Sequence, residues 1–436
     1  MLVEISIQNY KSIAERQTLS LMAGAASSRR NCSSLETHNS MAPRVLRSSC
    51  LFGANGSGKS AFVEAISFLT DFVENSAMDR QIDAEIEVKP FAYDPEWRES
   101  PTEIEAIFVH NETLYQYGFI ADSVRVYDEW LFENPSEEGT RLRKIFTRSF
   151  DDDTQEYDWN LNKTHLKGER ESWKNNTRKN ALFLSTAVQL NSEDLRPAHE
   201  WLTRHLRIVE DVSRLHHSFS VRQFVEEDWK DEILSLLNSA DVPLDDIEID
   251  VGDFDPNDLP EGLPKDAISK LKKEFRDAKV IKKMETVRYD TDGDAIKLPF
   301  SEESAGTNVL FNLAGPLLDT LKSGYTLVID ELHNNLHPLA LRYIVDLFAS
   351  KTVNKKGAQL LFTSHEASIL DDTCIHRDQV WFVEKKSLAT HLKPLSSFKT
   401  RDSISLQKAY LDGRFGAIPV IDDLDIEGAC IGDEKP

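Results

Sequence analysis

One octapeptide restricts the possible folds of this chain more than any other feature. Gly53-Ala54-Asn55-Gly56-Ser57-Gly58-Lys59-Ser60 is a complete G-x-x-x-x-G-K-S sequence. It follows a strand expected over residues 45–52 and opens the stretch 59–75, where Phe62, Ala65, Ile66, Leu69 and Phe72 recur at helical spacing. Strand, glycine loop and helix make the setting a phosphate group needs. Glycines let successive backbone amides converge on anionic oxygens at a helix N-terminus, where the peptide dipoles already favour negative charge. Lys59 is placed to reach the β and γ phosphates and the Ser60 hydroxyl to bind Mg²⁺. With Ala61 completing the segment, the octapeptide is the candidate ATP-binding site.

A second apolar strand, Thr326-Leu327-Val328-Ile329, ends in Asp330-Glu331. Ligands of α/β sheets gather at the C-terminal ends of such strands. Asp330 suits a contact to Mg²⁺ and Glu331 suits polarisation of an attacking water, so downstream of the phosphate loop the pair points to nucleotide hydrolysis. Leu360-Leu361-Phe362-Thr363-Ser364-His365 is a further buried strand ending in polar residues, and His365 is a candidate contact to the γ-phosphate or the water. Ser301-Glu302-Glu303-Ser304-Ala305-Gly306-Thr307 precedes an apolar helix, with Ser304 the expected N-cap. The same small, hydroxyl-bearing segment makes Ser304 and Gly306 candidates for an anion held by another subunit. Two constellations are set aside. His333 and His337 do not form H-E-x-x-H, and Asp290-Thr291-Asp292-Gly293-Asp294 has the wrong glycine position for a calcium loop and reads as a hairpin turn.

Charge separates along the chain. Lys plus Arg number 51 against 74 Asp plus Glu, a formal charge of −23. Residues 226–261 hold fourteen acids and the single base Lys230, so more than half of the excess sits in one stretch. Its sign argues against a chain covered in duplex-binding surface. The proline-bearing piece 240–264 reads as a solvated connector with room for one short strand, and a basic partner would be steered to the acidic insertion. Cys32, Cys50, Cys374 and Cys430 form no C-x-x-C pair, which excludes a disulfide framework or thiolate zinc site. Met1-Leu2-Val3-Glu4-Ile5 lacks the pattern of a secretory leader and no run is long enough to span a membrane. A cytoplasmic protein is expected.

The expected class is α/β, a parallel core sheet with helices plus an antiparallel β lobe, interrupted by a mainly helical insertion. Residues 1–160 form the N-terminal half, with a first strand over 2–7, the phosphate loop, and a meander over 103–109, 114–120, 124–132 and 143–150. Residues 161–284 form the acidic, mainly helical insertion, with helices over 198–206, 220–238 and 265–278. Residues 285–436 return to the core with a hairpin and alternating helices and strands, which argues a parallel sheet with crossovers.

Together these motifs resemble the ABC-type ATPase head of the RecF, SMC and OLD group. Asn9-Tyr10-Lys11-Ser12 resembles that group's N-terminal nucleotide-contacting turn, which makes Asn9 and Lys11 cofactor-binding candidates. Glu303-Ser304-Ala305-Gly306-Thr307 resembles a shortened signature motif, Asn335-Leu336-His337-Pro338 stands where a D-loop belongs, and His365 matches the switch histidine. More narrowly, residues 377–385 and 410–419 are similar to the C-terminal blocks of RloA/AbiL-type phage-defence ATPases, and the chain is also similar to the PARIS-system ATPase. The resemblance implies a homodimer or higher homo-oligomer through head-to-tail ATP sites, with the signature of one subunit closing on ATP bound by the other. It further implies an antiphage role beside a separately encoded effector, commonly a nuclease, with a phage protein as trigger. No Gln matches the Mg²⁺-sensing loop of the group; the stretch Lys89-Pro90-Phe91 stands nearest that role. The residues after Val383 are too few for the Toprim nuclease domain of OLD proteins, so no nuclease is expected in this chain. A RecF-type DNA-repair or chromosome-maintenance clamp is the alternative reading.

Overall fold

The computed structural model describes residues 1–24, 34–78, 81, 84–136, 139–253, 279–371, 375–399 and 405–419. The expected helix over 265–278 lies outside these residues, as do Asp255, Asp258 and Glu261 of the acidic stretch and Cys32, Cys374 and Cys430.

Two large sheets organise the described chain. The core sheet runs, from one edge to the other, Leu206–Val209, Thr326–Ile329, Gln359–Ser364, Ser48–Phe52, Val380–Lys386 and Ala389–Pro394. Its first five strands are parallel and the last returns as an antiparallel hairpin. The strands Thr326–Ile329, Gln359–Ser364 and Ser48–Phe52 are buried at every residue, and each carries three consecutive apolar residues, Leu327 to Ile329, Leu360 to Phe362 and Cys50 to Phe52. The second sheet is antiparallel and seven-stranded: Leu2–Gln8 lies between Gln17–Ser20 and a meander of Thr102–His110, Thr113–Ala121, Val126–Asn134, Arg143–Asp151 and Glu156–Leu161.

The phosphate-loop helix Lys59–Asn75 links them. Phe62, Ile66, Leu69 and Phe72 bury against the antiparallel sheet, in one cluster with Ile5, Phe108 and Phe119. Cys50 and Phe52 point into a second cluster with Phe311, Leu341 and Phe382. Gln359 ties the sheets: buried, it donates from Nε2 to Leu2 O at 3.0 Å and Leu46 O at 2.9 Å and accepts from Leu2 N.

The meander has one strand more than expected, Glu156–Leu161. The larger difference is in the 161–284 stretch. Where a helix was expected over 198–206, Arg196–Glu200 is followed by a π-turn, Trp201–His205, and Leu206–Val209 then pairs in parallel with Thr326–Ile329. Ile208 and Val209 are β-branched and sit opposite Val328 and Ile329, so sheet pairing overrides the helical period. The helix expected over 220–238 is two, Ser218–Val225 and Lys230–Ser239, broken where Asp228 takes a φ of 57°. The acidic connector forms a real strand, Asp246–Asp253, paired to Lys279–Tyr289, which pairs in turn with Ala295–Pro299.

Candidate functional site

The phosphate loop adopts the geometry its glycines permit. Gly56 has φ 74° and Gly58 φ 107°, left-handed values that cost a side-chain-bearing residue energy. A Cβ on Gly58 would also fall 2.0 Å from Thr390 Oγ1 and 2.8 Å from Ser12 Oγ. Those two hydroxyls are 2.8 Å apart, Thr390 Oγ1 lies 2.9 Å from Ser57 O, and Thr390 N donates to Ser12 O at 2.7 Å. The N-terminal turn, the loop and the C-terminal hairpin are thus laced together around Gly58. From the other side Ala54 N donates to Ala417 O at 2.9 Å, and Tyr410 OH donates to the same carbonyl at 3.1 Å.

A cleft of about 310 Å³ opens over the loop. Asn55, Gly56, Gly58, Lys59, Ser60 and Ala61 line one side; Lys11, Ser12, Glu64 and Glu331 line the rest. Lys59 is 4% exposed, and its ammonium donates to Gly53 O at 2.8 Å and Ala54 O at 3.1 Å. Burial lowers its pKa, and the Glu331 and Asp330 carboxylates oppose that shift. Lys11 pairs with Glu64 at the rim. Gly53 and Ser57 are buried beneath the loop, supporting its turn rather than lining the cleft.

Thr363, on the strand next to the Asp-Glu strand, organises the end of that strand. Its hydroxyl donates to Asp330 Oδ1 and accepts from Glu331 N at 2.7 Å. Asp330 N in turn donates to Val209 O at 2.9 Å, so the unexpected edge strand helps to place it. Glu331 takes a φ of 48°, leaving the strand sharply and facing the cleft, and Asn334 Nδ2 donates to its Oε2 at 2.7 Å. Asp330 is 5% exposed, and its carboxylate acts electrostatically on Lys59. The oxygens of Ser60 and Asp330 are the hard donors that suit Mg²⁺. His365 is exposed, with its ring centroid 3.8 Å from that of His333 in an edge-to-face contact.

The structure brings Lys59, Ser60, Ala61, Glu331 and Lys11 to one cleft, whose lining includes neither the buried Asp330 nor His365. It does not bring Asn9 there. Asn9 is fully buried; its Nδ2 donates to Trp97 O at 2.7 Å and Ser100 O at 2.6 Å while Oδ1 accepts from Phe91 N at 2.9 Å. Satisfying those main-chain groups occupies the amide, which anchors the turn. Lys11 N donates to Lys89 O at 2.6 Å, so the stretch 89–91 abuts this turn. Ser304 and Gly306 line a different cleft, about 620 Å³, with Arg288, Asn335 and His337, and it shares no lining residue with the first. Ser304 Oγ caps the helix Ala305–Ser323 by accepting from Thr307 N at 3.1 Å. Sequence reasoning gave no role to Thr363, Ser12, Thr390 or Asn334; Thr363, next to Ser364-His365, and Ser12, at the end of Asn9-Tyr10-Lys11-Ser12, stood inside quoted motifs as possible signals.

A phosphate-loop strand separated from an Asp-Glu strand by a third parallel strand, flanked by an antiparallel lobe, is the α/β architecture expected from the sequence. Residues 48–371, well over half of the chain, match the family described as "AAA domain, putative AbiEii toxin, Type IV TA system", and the chain belongs to that family. No curated protein sequence matches it. Among solved structures it is similar to an Smc head bound to the C-winged helix domain of ScpA, at 12% identity over 94% of this chain and 99% of that one, TM-score 0.42. It is also similar to the recombination mediator RecF with ATPrS (12%, 90% and 98%, TM-score 0.32) and with ATP (13%, 88% and 96%, TM-score 0.32). Among the described residues no helix is long and apolar enough to cross a membrane.

Proposed function

We propose that this chain is an Mg²⁺-dependent, ATP-hydrolysing enzyme that works as a cytoplasmic homodimer. Each ATP is held by the phosphate loop of one subunit and closed over by Ser304 and Gly306 of the other. The observation that supports it best is the cleft in which Lys59, Ser60 and Glu331 face one another, with Asp330 and Glu331 held by a single Thr363 hydroxyl. Mg²⁺ bound by Ser60 and Asp330 would neutralise charge on the β and γ phosphates. Lys59 exchanges its loop carbonyls for phosphate oxygens. With one oxygen of Glu331 engaged by Asn334, the other accepts a proton from the attacking water, and His365 orients that water or the γ-phosphate. The finer assignment is an RloA/AbiL- or PARIS-like sensor and scaffold in antiphage defence that controls a separately encoded nuclease. The C-terminal blocks 377–385 and 410–419 support it, and the acidic insertion is the proposed docking face.

Glu331→Gln tests the chemistry. ATP turnover should fall about 10²-fold or more, the scale of a lost general base, while binding of a fluorescent ATP analogue persists. Undiminished turnover would remove Glu331 from the mechanism. Salt-sensitive DNA binding with ATP present would favour the clamp alternative.

A further inference from the structure

Arg288, on the strand Lys279–Tyr289, belongs to no motif in the sequence. Its Nη1 donates to Glu303 Oε1 at 2.6 Å, Nη2 to Oε2 at 3.1 Å, and Nε to Pro243 O at 3.1 Å. Thr286 Oγ1, 3.4 Å from Nη1, itself donates to Glu303 Oε1 at 2.6 Å. Glu303 is the residue before the Ser304 cap. Its side chain is 9% exposed, and the Arg288 guanidinium holds its carboxyl below the ordinary range. The main chain is fastened as well: Asn308 Nδ2 donates to Glu303 O at 3.1 Å and Ser304 O at 3.0 Å. Gly306 lies close against the D-loop stretch, where a Cβ would fall 2.9 Å from Asn335 O.

A bidentate guanidinium-carboxylate pair fixes orientation as well as distance, which an ammonium cannot do. Four of the five guanidinium donors are engaged among the described residues. The fifth belongs to a group lining the same 620 Å³ cleft as Ser304 and Gly306.

We infer that Arg288 is a positioning residue for the trans half of the ATP site. By clamping Glu303 it holds the Ser304–Gly306 segment of one subunit in the conformation that meets the triphosphate bound by the other. This role rests on the head-to-tail reading above.

The test uses the full-length protein and three changes: Arg288→Ala, Arg288→Lys, and the swap Arg288→Glu with Glu303→Arg. Hydrogen exchange is followed in peptides covering 300–310 and 59–75 without nucleotide, beside analogue binding, kcat and KM. In Arg288→Ala, exchange at 304–308 should rise about tenfold with 59–75 unaltered. Analogue affinity should stay within twofold, and kcat should drop at least tenfold at constant KM. Arg288→Lys should share most of the loss and the swap should recover part of it. Unchanged exchange at 304–308, or raised exchange with wild-type kcat, overturns the inference. A wild-type protein that neither hydrolyses ATP nor pairs in its presence overturns the parent reading and the trans role together, and the exchange pattern then reports the clamp by itself.

Discussion

The hydroxyl of Thr363 donates to Asp330 Oδ1 and accepts from the Glu331 amide, so one side chain on a neighbouring strand holds the Asp330 carboxylate and the main chain of Glu331. Thr363→Val keeps shape and burial but removes that link. It should lower kcat about 10–100-fold, the usual scale for a residue that orients metal ligands, with ATP binding within a few-fold; turnover equal to wild type would refute the role. His333 makes a pH prediction. Both its ring nitrogens are buried without a hydrogen-bond partner among the described residues. Burial first, then the neighbouring His365, pushes its pKa down to about 4. An unfolded histidine takes up its proton near 6.5, so below that pH the unfolded state binds more protons than the folded one. Stability present above about pH 6.5 is therefore lost as the pH falls toward 4. His110, also lowered to about 4 chiefly by burial, adds to the same sign. Melting temperatures taken from pH 7.5 to 5 should fall less steeply in His333→Phe than in wild type; equal slopes would count against the assignment.

The meander is fastened to the chain that follows it by a buried ion pair. Glu129 and Arg148 are both fully buried with Oε2 and Nε 3.0 Å apart. Glu129 accepts from Phe183 N at 2.7 Å, Leu184 N at 3.0 Å and Tyr117 OH at 3.1 Å, while Arg148 Nη2 donates to Ala181 O at 2.6 Å. Removing one partner strands the other charge, so Arg148→Ala should cost about 3–5 kcal/mol in denaturant unfolding. Replacing both together with Met should cost less than the sum of the two single changes, and additive losses would show that the pair is not coupled. Most elements were legible along the chain: the phosphate-loop helix has its expected limits, and Ser304 caps its helix as a residue of its type should. Leu206–Val209 was not. Four residues inside a helical period carry too little local signal, and their partner strand lies 120 positions further on.

Two of the clefts among the described residues carry the candidate ATP-site residues, one with the phosphate loop and Glu331, the other with Ser304, Gly306 and Arg288. On the head-to-tail reading proposed above, these are the two halves that two copies of the chain would bring together. Glu331→Gln protein with ATP and Mg²⁺ should therefore double in mass by light scattering, and Lys59→Ala should not; a monomer under both conditions would remove the head-to-tail assembly. The amino-acid sequence by itself determined what depends on neighbours in the chain: a glycine loop between strand and helix, two carboxylates at a strand end, the limits of long helices. Those follow from local dihedral preference, hydrophobic period and capping, which act over a few residues. Only the tertiary structure decided that Thr390 and Ser12 meet beside Gly58, that Thr363 holds Asp330 and Glu331, that Arg288 clamps Glu303 and that Asn9 is buried as an anchor. Such contacts are made by side chains brought together through sheet pairing and core packing, and no pattern along the chain encodes which distant partner will satisfy a buried polar group.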